Sequence, residues 1–208
     1  MLAISRPALL ILCAVFSYFI GGLPFGYWFV RASSGRDIRE FGSGNIGATN
    51  VQRTAGTKAG LVVLFLDILK GFVAVWVIAL LSHNDPAALA LSAVFVMLGH
   101  CYPVFLRFKG GKAVACFTGA YLYLAPLALL VTIAIFLLVV ALSKYVSLGS
   151  ILGAVVFPIA VWGLDYSSRP VLLASIFSSL LIIYRHKANI SRLRKGNERV
   201  FSFKGKTA

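Results

Sequence analysis

Six apolar runs separated by short polar segments make up most of the chain. They cover residues 8–30, 59–82, 86–106, 113–142, 148–164 and 170–184. A helix needs about 20 apolar residues to cross a bilayer, whereas a transmembrane strand needs only about 10. Because open sheet edges cannot face lipid, runs of this length predict a bundle of transmembrane α-helices.

The run at 113–142 is too long for a single crossing. Pro126 interrupts it, and a proline ends or kinks a helix at the preceding residue. We therefore predict two short helices that meet at Ala125-Pro126, which brings the number of crossings to seven. No Ser/Gly/Pro-rich linker or internal repeat separates the runs, so residues 1–208 are predicted to form one all-α, polytopic integral membrane domain.

Composition excludes a soluble fold, because 60% of the residues are hydrophobic, only 12% are charged and the mean hydropathy is +0.91. The net charge of +14 suits Lys and Arg beside anionic headgroups, so membrane lipids are expected partners and nucleic acid is not. The three cysteines, Cys13, Cys101 and Cys116, lack metal-ligand spacing. We expect them to be small packing residues and expect no metal site.

The basic residues fall mainly on one face of the predicted bundle. With seven crossings, 17 of the 20 Lys and Arg follow the first, third, fifth and seventh helices, and eight of them lie between Arg185 and Lys206. Only Arg6 and Arg169 lie on the other face, while Lys70 lies within the second helix. The positive-inside rule then predicts an external N-terminus and a cytoplasmic C-terminal tail.

Three polar segments on this face carry candidate chemistry. The first, residues 42–50, contains Gly42, Gly44 and Gly47 with Ser, Thr and Asn side chains between them, and Arg53 follows. Backbone N–H groups of such a loop can point inward, which suits a phosphate group. Taken alone, the segment fits an ordinary flexible turn equally well.

The second segment, residues 99–112, ends in Gly110-Gly111-Lys112. The two glycines allow a sharp turn, and Lys112 then stands at the start of the next helix, where its charge adds to the free N–H groups. The spacing is not that of a Walker loop, so nucleotide hydrolysis is not expected.

The third segment, residues 186–198, opens a basic tail that we expect to be mobile. On a helix His186, Asn189 and Leu193 share one face, so His186 and Asn189 are predicted to reach back over the two loops. The alternative is a basic helix that only anchors the chain to lipid headgroups.

Together the three segments resemble the bacterial acyl-phosphate:glycerol-3-phosphate acyltransferases of the PlsY type. The similarity extends over nearly the whole chain, with departures at Ala113, where glycine is usual, and at Cys116 and Asn197, where threonine is common. The residues that carry the resemblance are 43–51 with Arg53, then 99–100, 103–106 and 108–112, and finally 186, 189–190, 192–193, 196 and 198, with 66–71 and 146–151 in two helices.

The resemblance implies transfer of a fatty acyl group from acyl phosphate to the 1-position hydroxyl of glycerol 3-phosphate, forming lysophosphatidic acid and phosphate without a cofactor. It also implies a multi-pass protein of the bacterial inner membrane with its active site on the cytoplasmic face. A functional link to an enzyme that makes acyl phosphate from acyl carrier protein follows from the donor. Both substrates carry phosphate, so the site needs two anion pockets.

The expected site residues follow from the same resemblance. Ser43, Arg53, Lys112 and His186 are the expected catalytic residues, and with Asn189 they would clamp glycerol 3-phosphate. Side chains of the first loop, with Ser147 and Ser150, would surround the donor headgroup. The expected substrate-binding residues are Asn45, Gly47, Thr49, Asn50, Gly110, Gly111, Asn189, Ser147, Ser150 and Glu198.

The hydroxyl proton has two candidate acceptors. The His-x4-Asp motif of acyltransferases that use coenzyme A or carrier protein is missing after every histidine, which favours a different donor. Acyl phosphate carries a good leaving group, so positioning and charge stabilisation can provide much of the rate. We favour a phosphate oxygen of the donor as the acceptor, with His186 as the rival base.

Two other functions fit parts of the pattern. A membrane transporter of phosphate or another small anion needs repeats or polar residues at the midplane, where only Asp67 and Lys70 qualify, and their spacing suits a simple ion pair. A phosphatidyl transferase needs clustered aspartates that hold a divalent metal, and the six acidic residues are not clustered.

Overall fold

The computed structural model describes residues 5–166 and 168–201, and all regular structure in that part of the chain is helical. Lys204 and Lys206, which belong to the basic tail, lie outside the described residues. Besides 3₁₀ turns at Ile38–Glu40 and Val104–Leu106, the helices are α1 (Arg6–Gly22), α2 (Phe25–Ser34), α3 (Ala48–Ala55), α4 (Thr57–Leu81), α5 (Pro86–Cys101), α6 (Val114–Leu124), α7 (Pro126–Ser143), α8 (Val146–Leu164), α9 (Arg169–Arg185) and α10 (Lys187–Arg194).

The predicted transmembrane bundle is confirmed in its coarse form. Within the described ranges, five helical stretches are long and apolar enough to cross a membrane, and six are if the bent pair α9 and α10 counts as one span. The first of these stretches joins α1 and α2, and the others are α4, α5 with its following turn, α7 and α8.

The predicted break at Ala125-Pro126 is present. Ala125 leaves the helical region with φ −152° and ψ 67°, and Pro126 begins α7. Proline suits a first helical position because the N–H that it lacks has no partner there, and it pushes the preceding residue out of the helix. Helix α6 therefore has only 11 residues.

Two local predictions were wrong. The run at 8–30 was expected to be one helix, but the chain divides into α1 and α2. Pro24 has no N–H to donate a helical hydrogen bond, and it disfavours the helical conformation of Leu23 before it. The segment 42–50 was expected to be a loop, but it becomes helical at Ala48. Arg53 therefore projects from α3 and not from a loop.

Small residues let the helices approach closely. A Cβ atom added to Gly21 of α1 would lie 1.9 Å from the carbonyl oxygen of Val96 in α5. One added to Gly119 of α6 would lie 1.8 Å from the carbonyl oxygen of Ile68 in α4. Glycine at such contacts is typical of membrane helix pairs, where close backbone packing replaces the hydrophobic effect. The three cysteines are free and buried, as expected of packing residues.

We expect Gly21→Ala to destabilise the bundle, because the new methyl group cannot fit without separating α1 from α5. Overpacking of this kind costs about 1–3 kcal/mol, which for a protein of this size lowers the melting temperature by roughly 2–10 °C. Thermal unfolding in detergent measures the effect. Gly163→Ala in α8 is the matched control, since a Cβ there meets nothing within 4 Å. Equal melting temperatures for the two variants would contradict the close contact.

Candidate active site

One cavity of about 540 Å³ is lined by residues of α3 to α10, with His100 as the contribution of α5. Its mouth is polar, and its deeper part is lined by apolar side chains. Of the 14 residues predicted for the site, 12 line this cavity: Ser43, Asn45, Gly47, Thr49, Asn50, Arg53, Lys112, Ser147, Ser150, His186, Asn189 and Glu198. The two that do not are Gly110 and Gly111.

Lys112 links the second and third polar segments. Its Nζ donates a hydrogen bond of 2.5 Å to Oδ1 of Asn189 in α10. Burial lowers the pKa of Lys112 to about 8, against the opposing effect of Glu198, and the cations Arg192 and Arg53 lower it further. The charged form of Lys112 is therefore only modestly favoured at neutral pH. An anionic ligand beside it would raise its pKa and so favour the charged form.

Glu198 organises the third segment. Its Oε1 accepts hydrogen bonds from Asn189 Nδ2 at 2.8 Å and from Ser147 Oγ at 3.1 Å, and its Oε2 accepts from Arg192 Nε at 2.8 Å. Burial raises the pKa of this carboxyl group, but the hydrogen bonds from Asn189, Arg192 and Ser147 outweigh it and the net shift is downward. These contacts give Glu198 a positioning role, and the substrate contact expected of it stays a prediction.

His186 lies in a packed wall of the cavity. Its side chain is 3% exposed, and Nδ1 donates to the carbonyl oxygen of Ile182 at 2.8 Å. Burial, followed by the charge of Lys112, lowers its pKa to about 4, so the ring is neutral near pH 7. The expectation of a mobile tail at this residue was wrong, because the turn between α9 and α10 holds it in place.

Asn50 shapes the first loop from inside. Its Oδ1 accepts from the backbone N–H of Ser43 at 2.7 Å, and its Nδ2 donates to the carbonyl oxygens of Ile38, Phe41 and Asn45 at 2.8–3.3 Å. Asn45 in turn accepts from the N–H of Gly47 at 2.8 Å. These amide contacts hold the loop in shape, and the substrate contact expected of Asn50 stays a prediction.

The N-terminus of α3 faces the cavity beside this loop. Gly47 caps the helix, and Thr49 lies in its first turn. Free N–H groups and the positive end of the helix dipole favour an anion there. Arg53, one turn further along, is partly buried, and burial together with the nearby charge of Arg199 lowers its pKa.

Cations exceed anions around the mouth. Among the described residues, four cations line the cavity: Arg53, Lys112, Arg192 and Arg199. The two carboxylates in this described part of the lining are already paired, Glu198 with Arg192 and Asp67 with Lys70. A partly dehydrated pocket with this balance suits an anionic ligand. The sequence does not distinguish Arg199, because it is one of many cations in the basic tail.

Gly110 and Gly111 do not line this cavity, and their N–H groups donate to the carbonyl oxygens of Cys101 and His100 at 3.2 and 3.0 Å. Their carbonyl oxygens accept from the guanidinium of Arg185. These contacts give the two glycines a turn-forming role, and the direct phosphate contact expected of them stays a prediction.

Ala113 follows this turn in a left-handed conformation, with φ 60°. Alanine adopts this conformation at a steric cost that glycine does not have.

Ser147 and Ser150 are buried on the first turns of α8, at the edge of the mouth. Ser147 Oγ donates to Glu198, while Ser150 Oγ donates to the carbonyl oxygen of Val146 at 2.9 Å within its own helix. The structure thus places both serines at the cavity and gives Ser147 the direct link to the third segment.

The apolar part of the cavity opens sideways between α4 and α7. Its floor is formed by α6, where Phe117 contacts the buried ring of Phe157 at a centroid distance of 4.6 Å. Leu61 of α4 and Leu137 of α7 stand at the opening and are 59% and 58% exposed. In a membrane bundle such exposed leucines face lipid tails, so the groove is accessible from the bilayer.

Sequence relatives agree on one family. Residues 11–196 match the family model described as glycerol-3-phosphate acyltransferase. The chain is 47% identical over 182 residues to a glycerol-3-phosphate acyltransferase of Desulforamulus reducens, covering 88% of this chain and 90% of the relative. It is 42% identical over 191 residues to one of Fusobacterium nucleatum, covering 91% and 96%.

Two solved structures of PlsY, an integral membrane glycerol 3-phosphate acyltransferase, share the fold. The glycerol 3-phosphate form aligns with a TM-score of 0.88 at 37% identity, over 93% of this chain and 96% of that chain. The lysophosphatidic acid form aligns with a TM-score of 0.84 at 35% identity, over 94% and 97%. The chain belongs to the glycerol-3-phosphate acyltransferase family.

Proposed function

We propose that this protein transfers a fatty acyl group from acyl phosphate to the 1-position hydroxyl of glycerol 3-phosphate, forming lysophosphatidic acid and phosphate. The observation that carries the proposal is a single cavity with a cationic mouth and an apolar groove that opens to lipid. Family membership and the two forms of PlsY support the acceptor and the product.

Acyl phosphate suits both parts of the cavity. Its phosphate group matches the part of the mouth beside the N-terminus of α3, and its alkyl chain matches the groove above Phe117. A donor made of one small headgroup and one chain can enter the groove from the membrane. An enzyme that makes acyl phosphate from acyl carrier protein would supply it.

The proposed reaction depends mainly on the placement of the two substrates and on the stabilisation of negative charge on phosphate. The 1-hydroxyl oxygen attacks the acyl carbonyl carbon, the bond from that carbon to the phosphate oxygen breaks, and phosphate leaves with the hydroxyl proton. Arg53 and Lys112 balance the constant charge of the acceptor phosphate and stabilise the charge that develops on the leaving phosphate nearby. His186 with a pKa of about 4 is a weak base, which supports the donor phosphate as proton acceptor.

We propose the following roles for these residues. Ser43, Arg53, Lys112 and His186 with Asn189 form the proposed clamp for glycerol 3-phosphate. The donor headgroup is proposed to lie near Asn45, Gly47, Thr49, Ser147 and Ser150. Asn50, Glu198, Gly110 and Gly111 are proposed to hold these groups in position.

We further propose a single domain with seven crossings, an external N-terminus and a cytoplasmic active site in a bacterial inner membrane. The division of one apolar run into α6 and α7 supports the odd number of crossings. With that number, the positive-inside rule puts the cation-rich segments, and with them the mouth of the cavity, on the cytoplasmic face.

Purified protein in detergent should form lysophosphatidate from radiolabelled glycerol 3-phosphate and acyl phosphate, because the groove and mouth accept a donor with a bare phosphate headgroup. Acyl coenzyme A and acyl carrier protein serve as control donors. Label that enters lysophosphatidate only with the control donors would disprove the proposed donor.

Lys112→Ala and Arg53→Ala should each lower kcat/KM by about a hundredfold or more, since each leaves a substrate phosphate without a cation in a partly dehydrated site. Lys58→Ala removes an exposed cation at the start of α4 and is the matched control. Near-normal turnover in either site variant would argue against the clamp.

The pKa of Lys112 predicts an alkaline limit to activity. Lys112 is charged below its pKa of about 8, so kcat/KM for glycerol 3-phosphate should fall as pH rises through that value. Lys112→Arg keeps its charge at all working pH values, so its residual activity should lack this fall. A pH profile that is the same in both proteins would show that Lys112 is not the titrating group.

His186→Asn should raise KM for glycerol 3-phosphate while substantial kcat remains at saturating substrate, because the proposal gives His186 an orienting task. Kinetic constants measured from acidic to alkaline pH test this. A thousandfold loss of kcat with unchanged KM would identify His186 as the base.

A further inference from the structure

A buried ion pair lies beneath the site. Asp67 and Lys70 are near the middle of α4, with 2.7 Å between Oδ1 and Nζ, and each side chain is only 3% exposed. Charges within membrane helices are costly and usually serve a function. Apolar side chains of similar size often stabilise a fold as well as a buried pair does, so packing alone does not account for this one.

Lys70 contacts the joint between α1 and α2. Its Nζ donates to the carbonyl oxygen of Leu23 at 2.8 Å and lies 5.5 Å from the centroid of the Phe25 ring. The carbonyl groups at the end of a helix lack helical donors, and a cation there interacts favourably with the helix dipole. The ion pair thus fixes the direction of α2, which leads into the loop that carries Ser43.

Asp67 faces the other polar loop. Its Oδ1 lies 3.7 Å from Nδ1 of His100, and both atoms are buried without a hydrogen-bond partner, since the contact with Lys70 has ion-pair distance but not hydrogen-bond geometry. The carbonyl oxygen of His100 accepts from the N–H of Gly111 at 3.0 Å. A Cβ on Gly111 would lie 2.0 Å from Nε2 of His100, so the ring packs directly against the turn before Lys112.

We propose that Asp67, Lys70 and His100 are positioning residues that jointly hold Lys112 and the first loop at the spacing required by glycerol 3-phosphate. None of the three is part of the proposed clamp. The inference rests on the proposed function, because it concerns the affinity of that site for its acceptor. The donor is bound largely through its alkyl chain, so its affinity depends less on this spacing.

The double variant Asp67→Leu/Lys70→Met tests the proposal, because it removes both charges without leaving one unpaired. We expect a folded enzyme whose KM for glycerol 3-phosphate rises about tenfold or more, with KM for acyl phosphate changed by less than about threefold. The control is Ser17→Ala/Ser92→Ala, which removes a buried hydrogen bond of 2.8 Å between α1 and α5. A folded double variant with the wild-type KM for glycerol 3-phosphate would overturn the proposal.

A second pair of variants covers the case in which the double variant does not fold. His100→Ala should raise KM for glycerol 3-phosphate, and His100→Gln should recover part of the affinity, since it keeps a polar side chain of similar reach against Gly111. Equal kinetic constants for both variants and the wild type would also overturn the proposal.

Labelling of Lys112 with an amine-reactive reagent, quantified by mass spectrometry, separates this proposal from the proposed function. Loss of the network should release Lys112 from Asn189 and raise its labelling rate by about tenfold relative to Lys58. An inactive wild-type enzyme would refute the proposed function, while an unchanged labelling rate in the His100 variants would refute the positioning network.

Discussion

A helix rises about 1.5 Å per residue, so the 11 residues of α6 cover only about 16 Å of a hydrocarbon layer about 30 Å thick. With the proposed seven crossings, the segment before α6 enters the thickness of the membrane to reach it, and this brings Lys112 below the level of the headgroups. The neighbouring helices α4 and α7 are of full length and flank the space above α6. The short helix therefore creates both a sunken polar site and a groove that is open to lipid.

Charges placed at that depth need partners, and the third segment provides them. Glu198 joins Arg192, Asn189 and Ser147, and Asn189 then presents its oxygen to Lys112. A single carboxylate thus fixes the orientation of an amide and a cation without neutralising the mouth. The ion pair of Asp67 and Lys70 has a similar role beside the site. It connects the junction of α1 and α2 to the turn before Lys112.

Local rules account for part of this structure, and tertiary contacts account for the remainder. The break at Pro126 follows from the missing N–H of proline and from a run too long for one crossing. The run that contains Pro24 has the length of one crossing, so its length gives no sign of the break there. Asn50 and Gly111 are residue types common in phosphate-binding loops, but their hydrogen bonds are made to the protein backbone. Glu198 lies far from Ser147 in sequence, so no spacing rule predicts that they meet.

Burial, and after it the repulsion from neighbouring cations, lowers the pKa of both Lys112 and Arg53. A phosphate group that enters the mouth relieves this repulsion, so binding and protonation of Lys112 strengthen each other. On the proposed function, acyl transfer then divides the bound material into two products with different exits. Phosphate leaves through the polar mouth to water, whereas lysophosphatidic acid keeps its alkyl chain in the groove and leaves between α4 and α7 into the bilayer.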